Sequence, residues 1–360
     1  MKILIDIGHP AHVHLFKNFA KLMIGKGHSV LFTCRDKEFI IFLLNKYNFH
    51  FKCLGKHYRT NVLKVFGLLE FILKILYISF KFKPNFFLSH GSMYAAFCGW
   101  ILKKPHISFE DTFNFEQIKL YKPFTKVILT STYFHPYLGK NNIKYPGYHE
   151  LAYLHPNYFQ PNRSILSELG ISGNKPFFIL RFVSWNATHD IGHQGISDST
   201  KIILTKKLSN FGRVFISSEK QLSKELEPYR LSIDPDKIHD AIAFSSLLYG
   251  ESATMAAEAA VLGVPAIYLD DNGRLYTNEL EEKYGLVFNY SESKEDQELS
   301  IEKALELIKI NDVKEEWKLK KDRMIADKID VTAFLVWFIE KFPNSCHTLK
   351  KEPDIFKKFK

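Results

Sequence analysis

The segment from Tyr249 to Pro265, YGESATMAAEAAVLGVP, holds the residue types best suited to chemistry. It reads as a small-residue turn, a short helix, and Gly263-Val264-Pro265 leading into an apolar strand over 266–269. The first N–H groups of a helix have no intrahelical acceptor and carry partial positive charge, so a helix start is a natural anion site. Gly250, Ser252, Ala253 and Thr254 are small enough to let a diphosphate approach the main chain. Glu258 lies one to two turns further in, placed for a carboxylate to accept hydrogen bonds from a ribose diol. The pattern suits a nucleotide sugar. It also suits an ordinary helix capped by Ser252 or Thr254, with its alanines packed on a sheet, so the rest of the chain has to decide.

Other reactive side chains cluster at the ends of apolar runs. His9, His12 and His14 follow the first of these, and Pro10 fixes the loop just before His12, which makes His12 the preferred base or diphosphate partner. The H-x-x-H-x-H spacing is not read as a metal site, because a loop and a helix start divide it. Glu110 and Asp111, adjacent acids after another apolar run, are rival bases or helix caps. Arg181 and Arg274 are candidate cations for a departing diphosphate, and either could equally be a surface ion pair. His189, Asp190 and His193 form a polar loop that could touch sugar or diphosphate, and Trp185 could stack on a ring or pack in a core.

These residues need a scaffold, and hydrophobic patterning supplies one. An apolar run over 2–7, a loop, a helix over 14–26, Gly27 and a second strand over 29–33 open a Rossmann-like unit. Strands alternate with helices up to a Pro- and Gly-rich stretch over 145–165, which reads as an interdomain linker, and the alternation then resumes. The sheets should therefore be parallel, with ligand loops at the C-terminal ends of the strands. The boundaries are an N-terminal, acceptor-side domain over 1–155, a nucleotide-sugar-binding domain over 165–330, and a helix and tail over 331–360.

Composition narrows the partners. The chain has 360 residues, 46% hydrophobic and 24% charged, enough for two cores, with a net charge of +10. That charge suits phosphorylated substrates or an anionic membrane surface; no nucleic-acid-binding motif is present. Four scattered cysteines without C-x-x-C fit a reducing, cytoplasmic setting, and the start of the chain shows no secretory pattern. The helix over 62–82 is the most apolar stretch, interrupted by Lys64, Glu70, Lys74 and Lys81. Its spacing predicts Phe66, Leu69, Leu73 and Leu76 on one inward face, or a cationic amphipathic helix resting on the inner membrane leaflet. Gly-x-Gly-x-x-Gly after the first strand, Walker A and Gly-x-Ser-x-Gly are all missing, which disfavours dehydrogenases, P-loop ATPases and nucleophile-elbow hydrolases.

The two halves, together with the Gly250–Pro265 segment, resemble the GT-B superfamily, which includes inverting glycosyltransferases and UDP-N-acetylglucosamine 2-epimerase. The segments DIGHPAHVH over 6–14 and RFVSWNATHD over 181–190 are similar to those of an epimerase-like family, domain of unknown function 354. The resemblance implies an α/β, GT-B fold with two Rossmann-like domains whose parallel sheets face across a cleft. It implies that Ser252, Ala253 and Thr254 hold a nucleotide diphosphate, that Glu258 holds the ribose, and that Gly8 faces the cleft. His90-Gly91-Ser92 matches the epimerase pattern His-Gly-Asp except at Ser92, and Glu110 matches a cleft glutamate of that enzyme. The loss of the aspartate favours glycosyl transfer over 2-epimerisation or hydrolysis. The expected enzyme is a metal-independent glycosyltransferase of surface polysaccharide or glycan synthesis, using a UDP-linked or related donor, a glycan or lipid-linked acceptor and no further cofactor. His12, Glu110 and Asp111 are its candidate catalytic residues, and Gly8, Arg181, His189, Gly250, Ser252, Ala253, Thr254 and Glu258 its candidate nucleotide-sugar ligands.

Overall fold

The computed structural model describes the chain except residues 57–60, 113, 174 and 184–194, and the side chains of 61–66. It divides into two compact units, Met1–Tyr153 with Lys328–Lys360, and Leu154–Asp327. The C-terminal helix Val331–Glu340 and the tail are thus part of the first unit, not a separate segment.

The first unit is built on strands β1 (Lys2–Ile7), β2 (Ser29–Asp36), β3 (Phe51–Lys56), β4 (Phe86–His90), β5 (His106–Glu110), β6 (Val127–Ser131) and β7 (Asn142–Tyr145). Their order is β3-β2-β1-β4-β5-β6-β7, and every pairing is parallel. The chain reverses direction across the sheet between β1 and β4, and in such sheets ligands collect beyond the strand ends at that point. β1 is buried over Ile3–Ile7 because helices cover both faces of a parallel sheet. The second unit repeats the scheme with β8 (Phe177–Phe182), β9 (Arg213–Ser218), β10 (Leu247–Gly250), β11 (Ala266–Leu269) and β12 (Val287–Tyr290), in the order β12-β11-β10-β8-β9, again all parallel. The expected α/β architecture of two Rossmann-like units is therefore observed.

The helix Asn61–Phe82 corrects one expectation. Phe71, Ile72 and Ile75 are buried against Leu4, Phe87 and Cys98, with Leu76 partly buried beside them. Leu69 and Leu73, expected to face the core with Leu76, point outward at 60% and 57% exposure. The helix is apolar on nearly every face, so periodicity alone could not choose which face the sheet would take.

Candidate functional site

At the reversal point of the first sheet the chain builds a network from the strand ends upward. Asp6, near the end of β1, is 1% exposed and accepts from Thr33 Oγ1 at 2.8 Å, Arg35 Nη1 at 2.7 Å and Ser92 Oγ at 2.6 Å. The Arg35 guanidinium is thereby fixed, and it packs over the Tyr94 ring. A Cβ on Gly8 would meet Arg35 Nη2 at 2.9 Å, which explains a residue without a side chain there. Ser92 also caps the helix Met93–Ile101, its Oγ accepting from Ala95 N. A carboxylate at 92 is unnecessary for holding this corner, because Asp6 provides one from the neighbouring strand.

Above this network lies a cavity of about 390 Å³, lined by Gly8, His9, His12, Arg35, Lys37 and His90 among others. Its described lining residues include no carboxylate, so its wall offers N–H donors and suits an anion or a hydroxyl-rich ligand. His12 stacks on His90 with ring centroids 4.6 Å apart. Burial, and then the neighbouring His90 and His9, hold His12 well below the usual imidazole range, so it is neutral at physiological pH. The Gly8 N–H donates to His12 Nδ1 at 3.3 Å, which puts the ring proton on Nε2. In this arrangement Nε2 is the donor of the His12 ring, and Nδ1 is engaged by Gly8.

Behind His90 stands a partly buried acid. Asp111 takes His90 Nε2 on Oδ1 and His149 Nδ1 on Oδ2, each at 2.9 Å. Burial works against His90 as a cation, yet Asp111 lifts it above its ordinary value. Burial likewise opposes the Asp111 charge, and His149 and His90 still hold its carboxyl well below the usual range. The nitrogen and oxygen atoms of His90, Asp111 and His149 lie within 4.8 Å of one another, a donor set that could also hold a divalent metal. Among the described residues, His149 Nε2 is buried with no hydrogen-bond partner.

Glu110 departs from the expectation. Its Oε1 accepts from Asp111 N, Thr112 N and Thr112 Oγ1, and its Oε2 from Tyr121 OH at 2.6 Å. At 2% exposure it ties Asp111 and Thr112 in place through Oε1, while Oε2 accepts from Tyr121.

In the second unit, β10 delivers the helix Ala253–Leu262. Gly250 is required by a close approach: a Cβ there would lie 2.0 Å from the Arg181 carbonyl oxygen on β8. Ser252 is the N-cap, its Oγ accepting from Met255 N at 3.3 Å, so Ala253 and Thr254 supply the opening amides. Gly263 ends the helix in the left-handed region at φ 76°, and Pro265 follows. Glu258 is 4% exposed, with Oε1 2.9 Å from His239 Nε2. Arg181 is held on the sheet by Ser217 Oγ and by an ion pair with Glu219. Arg274 lies beside Asp270 at 3.5 Å. Trp185, His189, Asp190 and His193 fall outside the described residues.

A family model described as "Protein of unknown function (DUF354)" matches residues 1–326. The chain belongs to this family. The uncharacterized protein MJ0665 of Methanocaldococcus jannaschii is 27% identical to this DUF354 chain over 317 residues, spanning 81% of the chain and 91% of the relative. Among solved structures, the UDP-GlcNAc 2-epimerase of the same organism in complex with UDP-GlcNAc and UDP is similar, with a TM-score of 0.64 and 11% identity over 86% of this chain and 94% of that one. So is the glycosyltransferase SsfS6 of Streptomyces sp. SF2575, with a TM-score of 0.60 and 12% identity over 94% and 99%. At such identities the likeness shows a shared GT-B fold.

Two groups escaped sequence reasoning in this DUF354 protein. His149 is a lone histidine after Pro146-Gly147, and only the position of its segment beside β5 brings it to Asp111. Glu251 accepts from Val183 N at 2.8 Å and Ile196 N at 2.6 Å, tying these two amides to one side chain, and Glu292 accepts from Gly195 N at 2.6 Å. A glutamate between a strand-ending glycine and an N-cap serine is the one signal that pointed to Glu251.

Proposed function

We propose that this protein is a nucleotide-sugar enzyme, and more narrowly a glycosyltransferase that moves a sugar from a nucleotide-diphosphate donor to a glycan or lipid-linked acceptor in surface polysaccharide synthesis. The observation that carries the reading is the helix Ala253–Leu262, opened by Gly250 and Ser252 at the end of a parallel strand, with Glu258 inside it. Its amides would take the diphosphate, stabilising the charge that grows as the sugar departs. Glu258, oriented by His239, would take the ribose diol. The fold is shared with proteins solved with UDP and UDP-GlcNAc, which supports a uridine or related nucleotide.

The first unit would bind the acceptor in the cavity of Gly8, Arg35 and His90, with His12 donating from Nε2. Arg181, engaged by Ser217 and Glu219, is assigned to holding the sheet end. An epimerase is less well supported, because Ser92 stands where that pattern has an acid and Glu110 is buried and engaged by Asp111, Thr112 and Tyr121. A thermal-shift screen against nucleoside diphosphates and nucleotide sugars tests the reading: ligand at a hundredfold over its Kd stabilises by about 2.7 kcal/mol, a readable rise. A screen in which no such compound moves the midpoint would defeat it.

A further inference from the structure

The outward face of the helix Asn61–Phe82 carries an apolar stripe that the fold does not use. Leu69, Leu73, Tyr77 and Phe80 are 60%, 57%, 61% and 67% exposed. At 100° per residue these four fall within roughly 80° of arc, opposite Phe71, Ile75 and Ser79, which are buried. The adjoining helix Met93–Ile101 also carries exposed apolar residues, Trp100 at 58% and Ile101 at 41%. Large exposed apolar side chains lined up along one helix are unlike the scattered ones normal for a surface, and they mark a contact face.

The charges around the stripe select the partner. Lys74 and Lys81 sit at its edge, Lys83 follows the helix, and Lys103 and Lys104 follow the neighbouring helix; all are exposed. Lys81 Nζ lies 4.4 Å from the Tyr77 ring centroid, so the cation stays beside the apolar row instead of extending away from it. Of these lysines Lys74 is paired with an acid, Glu70 of the same helix. A second copy of this chain would bring the same lysines against each other, whereas an anionic lipid surface complements them and offers acyl chains to the leucines and aromatics. No described helix is long and apolar enough to cross a membrane, so contact would be in the plane of the surface.

We propose that the Leu69–Leu73–Tyr77–Phe80 face, rimmed by Lys81 and Lys83, docks the protein on an anionic phospholipid bilayer. Docking there needs no nucleotide, so it stands or falls independently of the glycosyltransferase reading. The test is flotation of the full chain with vesicles of phosphatidylcholine alone and of phosphatidylcholine mixed with phosphatidylglycerol. Binding to the mixed vesicles is expected to exceed binding to the neutral ones at least tenfold and to fall at high salt. The Leu73→Glu/Phe80→Glu variant alters only exposed positions and should keep the wild-type circular dichroism and melting temperature while losing flotation. Lys81→Glu/Lys83→Glu should lose it in the same way. Failure of the wild type to float, equal binding to neutral vesicles, or undiminished flotation of the Leu73→Glu/Phe80→Glu variant would overturn the proposal. A wild-type dimer in sedimentation velocity that this variant converts to monomer, without vesicle binding, would assign the face to self-association instead.

Discussion

His12 and Asp111 show how the environment, more than residue type, sets a role. A lone neutral histidine in a cavity reads as a base, but the Gly8 amide holds its Nδ1, so Nε2 carries the proton. His12→Gln, which keeps an N–H donor, should therefore leave nucleotide release from a sugar donor nearly unchanged, whereas His12→Ala, which deletes a hydrogen bond to the acceptor, loses about tenfold. Equal losses in both variants would restore the base. Asp111 and His90 make a pH prediction. The His90 value is raised in the fold, so its contribution is complete below the ordinary 6.5 and is lost as pH climbs through the folded value. The Asp111 value is depressed, so its contribution is present above 3.8 and is lost as pH falls through the folded value. Asp111→Asn should thus cost about 3 kcal/mol in urea unfolding between those two values, as expected for a buried charge left alone, and less above them. A penalty that grows from pH 6 to 9 would contradict the assignment. Glu110 and Asp111 were legible as adjacent acids but not as opposites. Successive residues leaving a strand point to different sides, and only the strand order shows that one side holds Tyr121 and the other the histidines.

At the scale of elements, the second unit uses a carboxylate to tie main-chain amides together. Glu251 accepts from Val183 N, just after β8, and from Ile196 N, just before the helix Asp198–Ser209. Glu251→Ala orphans both, and the expected loss is about 3 kcal/mol in stability, with faster hydrogen exchange at the Ile196 amide. Unchanged exchange at Ile196 would show that this amide is held by other means. The helix Ala253–Leu262 was readable because cap, small residues, Gly263 and Pro265 all act locally. The orientation of the helix Asn61–Phe82 was not, since apolar residues on every face leave the choice to the packing of Phe71, Ile72 and Ile75 against Leu4 and Phe87. β7 and β12 were missed for a related reason: each mixes polar with apolar side chains in four residues, whereas β11, equally short, is apolar throughout.

For the whole molecule, alternation of strand and helix was enough to foresee two parallel Rossmann-like units. The return of residues 328–360 to the first unit was not foreseeable, because it depends on tertiary partners such as Ala152, which accepts from Thr332 Oγ1 at 2.7 Å. Family membership is DUF354 and the fold is GT-B, while the proposed reaction rests on the helix start at Ser252 and on Glu258. The most direct measurement is a calorimetric titration of UDP-, CDP-, GDP- and TDP-linked sugars into the wild type and into folded Glu258→Gln. The account predicts saturable binding of one member at one site per chain, weakened by about 1.5–3 kcal/mol in the variant, the range for a hydrogen bond to a charged group. No binding by any of the four, or equal affinity in the two proteins, would contradict it.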